Sequence, residues 1–147
     1  MSETEKQRIE YKSVLKIRTG DKGFRDLSTT CVAFANAQGG TIFIGYDDKK
    51  CMPPDENQTI HSNEINETTS RLRSLCFNVG LTASNILTHE NGGQYFEIEV
   101  FPSRQSVATT SDGKIYIRVA DKCEPVRSED IQRLMEEKGT FQWELVR

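Results

Sequence analysis

The sequence predicts an α+β domain, a mixed β-sheet with about three helices against it. Three observations predict this. Apolar residues recur at helical spacing in two stretches, Phe24 to Ala35 and Ile65 to Val79. Short β-rich runs lie between and after these stretches, without a strict strand–helix alternation. Two turn signals, Asn91-Gly92-Gly93 and Asp112-Gly113, join β-rich runs as hairpins.

The elements follow in order. Ile9 to Leu15 reads as a strand, and Thr19, Gly20, Asp21 and Gly23 mark a turn. Phe24, Leu27, Cys31, Phe34 and Ala35 share one helical face, with Asp21 and Asp26 both open as the cap. Gly39-Gly40 ends this helix, and the side chain-poor turn leads into Thr41 to Tyr46, the buried central strand. Asp47 to Gln58 is a polar loop broken by Pro53-Pro54. A second helix starts at Ser62 or Asn63 and carries Ile65, Leu72, Leu75, Cys76 and Val79 on one face. Ser84–His89 and Tyr95–Phe101 form the first hairpin, in which Phe96, Ile98 and Val100 alternate with Glu97 and Glu99. Ser106–Thr110 and Lys114–Val119 form the second. Its alternation sends Ile115, Ile117 and Val119 inward and Lys114, Tyr116 and Arg118 outward. Ser128 caps a last helix with Ile131, Leu134 and Met135, and Phe141 and Trp143 follow it.

Composition narrows the function classes. The 147 residues fit one domain, 1–147, expected to be the N-terminal part of a longer protein. No stretch approaches the ~20 apolar residues of a membrane helix, and the charged start Met1 to Glu10 has no signal-peptide core, so a cytoplasmic location is expected. Cys31, Cys51, Cys76 and Cys123 are widely spaced with no Cys-x-x-Cys pair, which argues against a zinc site, and Cys31 and Cys76 fall on apolar helical faces as buried reduced thiols. The net charge of −3 argues against a nucleic-acid binder that uses its whole surface. It leaves room for a local basic face, because Lys12, Lys16, Arg18, Lys22 and Arg25 fall within a short run.

Chemistry-bearing motifs are few. The chain has no Gly-x-x-x-x-Gly-Lys-Ser/Thr loop and no Gly-x-Ser-x-Gly, and Gly39-Gly40 follows a helix where phosphate loops precede one. Acidic residues are more informative. Glu10 lies in the first strand and Asp47-Asp48 end the central one, and convergent carboxylates bind Mg²⁺ or Mn²⁺. Glu5 precedes Glu10 by five residues, so a regular strand would place the two on different faces. Asn36 is read as a helix C-cap. Tyr116 beside Arg118 suits base stacking with phosphate contact.

Ile9-Glu10-Tyr11-Lys12, the run CVAFANAQGGTIFIGYDD from Cys31 to Asp48, and Tyr116-Ile117-Arg118-Val119 followed by Pro125 resemble the Schlafen AlbA_2 domain. The most specific piece is Ala-Asn-x-x-Gly-Gly, and the resemblance extends to the helix around Ile131. It implies an α+β, Schlafen AlbA-like fold. It also implies a DNA-binding module standing in front of further domains in proteins labelled transcriptional regulators, helicase-like proteins or ATPases. In animal Schlafen proteins two related lobes form a clamp that cleaves transfer and ribosomal RNA with three carboxylates and a divalent metal. The matching positions here are Glu5, Glu10 and Asp48. The sequence departs from the family pattern at Tyr11, where Phe is usual, and in Lys49 to Asn57.

Three functions are carried forward. The first is a module that binds DNA or RNA weakly, through Lys12, Lys16, Arg18, Tyr116, Arg118 and Lys122, with no cofactor required. The second is a ribonuclease with Glu5, Glu10 and Asp48 as catalytic residues and Mn²⁺ or Mg²⁺ on Glu10 and Asp48. The third is an ATP-binding or interaction module using Gly39, Gly40 and Tyr46 to Asp48. The expected partners are nucleic acid, the further domains of the same chain and a second copy in a two-fold dimer.

Overall fold

The computed structural model describes residues 7–127 and 129–137. Its main sheet contains β1 (Ile9–Lys12), β2 (Gly40–Ile44), β4 (Gly80–Ala83), β5 (Leu87–Thr88) and β6 (Gln94–Phe101). The order is β1-β2-β6-β4, with β5 also on β6. β1 and β2 run parallel and the other pairs antiparallel, so the sheet is mixed and β2 is interior, as expected. Period-two patterning decides its faces. Ile42 pairs with Ile98 and Ile44 with Phe96, and all four are fully buried on the helix side. β2 stops at Ile44, where Gly45 N and Tyr46 N both donate to Lys12 O, at 2.7 and 3.1 Å.

The first helix, α1 (Asp21–Ala35), begins earlier than its apolar pattern suggests. Gly20 is its N-cap, and Asp21 sits in the first turn, where a negative charge meets the positive helix end. Asp21 also pairs with Arg71 of α2 (Ser62–Leu75). The early start has a steric cause. After β1 the chain forms a 3₁₀ turn, Val14–Ile17, rather than continuing as strand to Leu15, and this turn lies against α1 at Gly23. A Cβ on Gly23 would stand 2.0 Å from Lys16 O, so only glycine lets the turn approach. At the other end Gly39, with φ 77°, donates to Phe34 O at 2.8 Å and reverses the chain into β2. A Cβ on Gly40 would lie 2.7 Å from the Phe34 ring. The second half of α1, from Thr30 to Ala35, is buried all round because it is packed on both sides, by the main sheet and by a hairpin of β8 (Tyr116–Val119) and β9 (Lys122–Pro125).

α2 starts at Ser62 with His61 as N-cap, and the Glu64 carboxylate accepts from His61 N at 3.0 Å. It ends at Leu75. Cys76, expected on its face, instead opens β3 (Cys76–Phe77), which pairs with β7 (Thr109–Thr110). Of the expected arm Ser84–His89 only Leu87–Thr88 forms strand, as β5, and a further strand, β4, precedes the arm at Gly80–Ala83. β4 and β5 both pair with β6, and between them Ser84 Oγ accepts from Glu97 N at 2.9 Å.

The second hairpin corrects two expectations. The Asp112-Gly113 turn forms, with Thr110 N donating to Lys114 O at 2.9 Å, but its arms then diverge. β7 goes to β3, whereas β8 pairs with β9 across Ala120-Asp121, where Ala120 has φ 54°. The faces of β8 are also reversed. Arg118 is buried and Val119 is 48% exposed. Ile117 and Val119 turn toward Leu134 in the helical residues 129–137, and together they line a cavity of about 380 Å³. Glu5, the Ser128 cap, Phe141 and Trp143 lie outside the described residues. All four cysteines are free, and burial pushes the Cys76 thiol up to about 12 and that of Cys31 well above its usual value. Among the described residues no helix is long and apolar enough to cross a membrane.

Candidate nucleic-acid interface

β1 is an edge strand, and its register places Glu10 beside Ile42 and Lys12 beside Ile44. Both side chains therefore point to the helix side of the sheet, at the rim where α1 and β8 arrive. There Arg118 Nη1 donates to Glu10 Oε2 at 2.6 Å and Nη2 to Ile9 O at 3.0 Å. Cys123 Sγ lies 3.3 Å from Nη1, and the guanidinium stands 4.9 Å from the centre of the Phe34 ring. An arginine side chain only 2% exposed is tolerable because a carboxylate, a carbonyl and an aromatic face replace its water. This explains the reversed face of β8.

Lys12 Nζ lies 3.1 Å from Asp26 Oδ2 and 3.9 Å from Glu10 Oε1, and Lys16 Nζ lies 2.8 Å from the same Asp26 oxygen. Burial pushes the Asp26 carboxyl up, but the hydrogen bonds and charges of Lys16 and Lys12 outweigh it and hold the group below its usual value. The rim thus collects Lys12, Lys16 and Arg118 against Glu10 and Asp26, three cations against two carboxylates.

The other expected contact residues are dispersed. Arg18 forks onto Glu64, with Nε 2.7 Å from Oε2 and Nη2 2.9 Å from Oε1, and also donates to Thr59 O at 2.7 Å. It fastens the end of the 3₁₀ turn to α2. Lys122 is exposed at the β8–β9 turn. Tyr116 is half-buried and packs on the core, not outward on the same free face as an exposed Arg118.

Asn36 is the C-cap of α1, as its position suggests, but its side chain does more. Nδ2 donates to Ala108 O and Tyr116 O, both at 2.9 Å, and Oδ1 accepts from Ala108 N at 2.8 Å. These partners are 72 and 80 residues away, and nothing local in the sequence points to them. Asp26 gathers two lysines, a role its sequence position as a possible cap does not announce.

Among the described residues, which do not include Glu5, no group of three or more possible metal ligands occurs. Glu10 is bound to Arg118. Asp47 Oδ1 accepts from Lys49 N and Lys50 N at 2.9 and 3.2 Å, which closes the loop after β2 and lowers its carboxyl. Asp48 is exposed. Tyr46 stacks on Tyr11, with ring centres 5.3 Å apart, and burial leads the causes that push its hydroxyl above the usual range.

Comparison with known proteins bears on this arrangement. The family model described as "Schlafen, AlbA_2" matches residues 5–127. No curated protein matches the chain. Among solved structures, the DIP2311 protein from Corynebacterium diphtheriae has a similar fold, with a TM-score of 0.61 and 16% identity. That likeness covers 90% of this chain and 24% of the other, so the chain spans about a quarter of that protein's length.

Proposed function

Because this chain belongs to the Schlafen, AlbA_2 family, we propose that it is a nucleic-acid-binding module that works inside a larger protein and grips backbone phosphates. The observation that carries this reading is the excess of cations at the rim, where Lys12 and Lys16 share one Asp26 oxygen. Lys16 is 39% exposed, so a phosphate oxygen reaches it without unfolding anything. Binding is weak, with dissociation constants in the non-specific range of about 10⁻⁴–10⁻⁶ M, because an acidic domain neutralises few phosphates.

The same geometry selects the test. Arg18 and Arg118 hold the fold together, so reversing their charge reports on folding as well as binding. Lys16→Ala with Lys122→Ala avoids that problem. In anisotropy titrations with transfer RNA, duplex DNA and single strands at two salt concentrations, the double variant loses affinity for all three. Its salt slope falls by about 2. Unchanged slope and affinity would remove these lysines from the interface.

A metal-dependent ribonuclease requires Glu5, Glu10 and Asp48 on one cation. Of these, Glu10 is paired with Arg118 and Asp48 is exposed, Glu5 lies outside the described residues, and among the described residues no three such ligands group together. No cleavage step is built on them.

A further inference from the structure

A second cationic site lies away from the rim, where the first turns of α1 face the Asp112-Gly113 turn. Arg25, Thr29, Ser111, Asp112, Lys114 and Tyr116 are among the residues lining a cavity of about 290 Å³ there. Arg25 and Lys114 are both exposed and come from segments far apart in sequence. Tyr116 supplies an aromatic side chain in the same wall, and Thr29 and Ser111 supply hydroxyls. Its volume is at the lower end for small-ligand sites, enough for about one nucleotide unit and too small for a duplex.

The space has a resident anion. Asp112 Oδ2 lies 3.8 Å from Lys114 Nζ, and its other oxygen accepts from the Thr110 hydroxyl. The Thr110 hydrogen bond is the main cause that lowers the Asp112 carboxyl, and the charges of Lys114 and Arg25 add to it. Both cations therefore act on one negative group. That pair is exposed, with Lys114 and Asp112 side chains about two-thirds accessible, so it exchanges readily with solvent anions.

We propose that this cavity is a single-strand subsite, in which Arg25 and Lys114 hold one phosphate, Tyr116 stacks on the adjoining base and Asp112 is the counter-ion that the phosphate displaces. The proposal rests on the nucleic-acid reading above and adds the ligand class. Aromatic stacking with flanking cations favours an unpaired strand, whose bases are free to turn toward a ring.

Asp112 gives the test an unusual sign. Asp112→Asn keeps an oxygen for the Thr110 hydroxyl and removes the competing charge. With a labelled uridine 12-mer, this variant of the 147-residue chain should bind several-fold tighter than the unsubstituted chain, and with a steeper salt slope. Arg25→Glu with Lys114→Glu should bind at least about tenfold more weakly, with circular dichroism unchanged. Single-strand affinity should fall more than duplex affinity. If the unsubstituted chain binds in a salt-dependent way but Asp112→Asn and the double reversal leave the 12-mer affinity alone, the subsite is wrong and the module reading stands. If the unsubstituted chain binds no nucleic acid at low salt, the module reading fails and the subsite with it.

Discussion

The rim of β1 and the Asp112 turn use the same kinds of residue, yet they put charge to different uses. At the rim Arg118 is sealed between Glu10, Ile9 O and the Phe34 ring, with its side chain 2% exposed. At the turn Lys114 faces Asp112 at 3.8 Å with both side chains mostly in water. Removing water makes an ion pair obligatory, because a buried charge without its partner costs far more than an exposed one. Leaving water in place makes the pair exchangeable. Charge alone therefore does not mark a binding residue in this domain. Accessibility of the partner does.

The strongest way to break this contrast is Arg118→Ala. It strips Glu10 of its main cation and opens space over Phe34, and should lower unfolding free energy by about 3 kcal/mol, read from urea midpoints. Arg118→Met paired with Glu10→Leu should recover much of that loss, since an apolar pair removes both charges together. A single variant as stable as the parent would erase the distinction between the two regions.

An intermediate case sharpens it. The hydrogen bond from Arg18 is the main cause that lowers the Glu64 carboxyl, and burial opposes it. Asp26 is also lowered. A carboxyl depressed in the folded state stabilises the fold above its unfolded pKa of about 4, and that contribution is lost as pH falls through the folded value. Acid should therefore destabilise the domain below about pH 4. Glu64→Gln should cost about 1 kcal/mol at pH 7 and flatten the acid limb of stability against pH. An acid limb as steep in the variant as in the parent would move the titrating groups elsewhere. The smallest effect belongs to Lys114→Ala, which should change stability by no more than about 0.5 kcal/mol. A larger loss would mean that the turn, too, is structural.

Much of the fold is legible in the sequence because it is local. The alternation around Ile42 and Ile44, the helical spacing of Leu27, Cys31 and Phe34, and the Gly39-Gly40 exit each depend on neighbours a few residues away. What is not legible depends on distance. The alternation of its apolar neighbours points Arg118 outward, and the carboxylate partner that turns it inward is 108 residues back in the chain. The Ala120-Asp121 turn carries no glycine or asparagine to announce it. The basic run from Lys12 to Arg25 is readable as charge, but its pairing depends on the fold, which pairs Lys12, Lys16 and Arg18 and opens Arg25 onto Lys114 and Tyr116.

The clasp between Glu10 and Arg118 also bears on how the chain is made. Synthesis proceeds from the N-terminus, and β1, α1 and β2 leave the ribosome long before residue 118 does. Until then Glu10 lacks its guanidinium and Asn36 lacks Ala108 and Tyr116. The nascent domain therefore carries an unfinished seam along its first strand, and contacts of such long sequence separation form slowly. Arg118, arriving late on β8, supplies the partner that Glu10 and Ile9 O wait for.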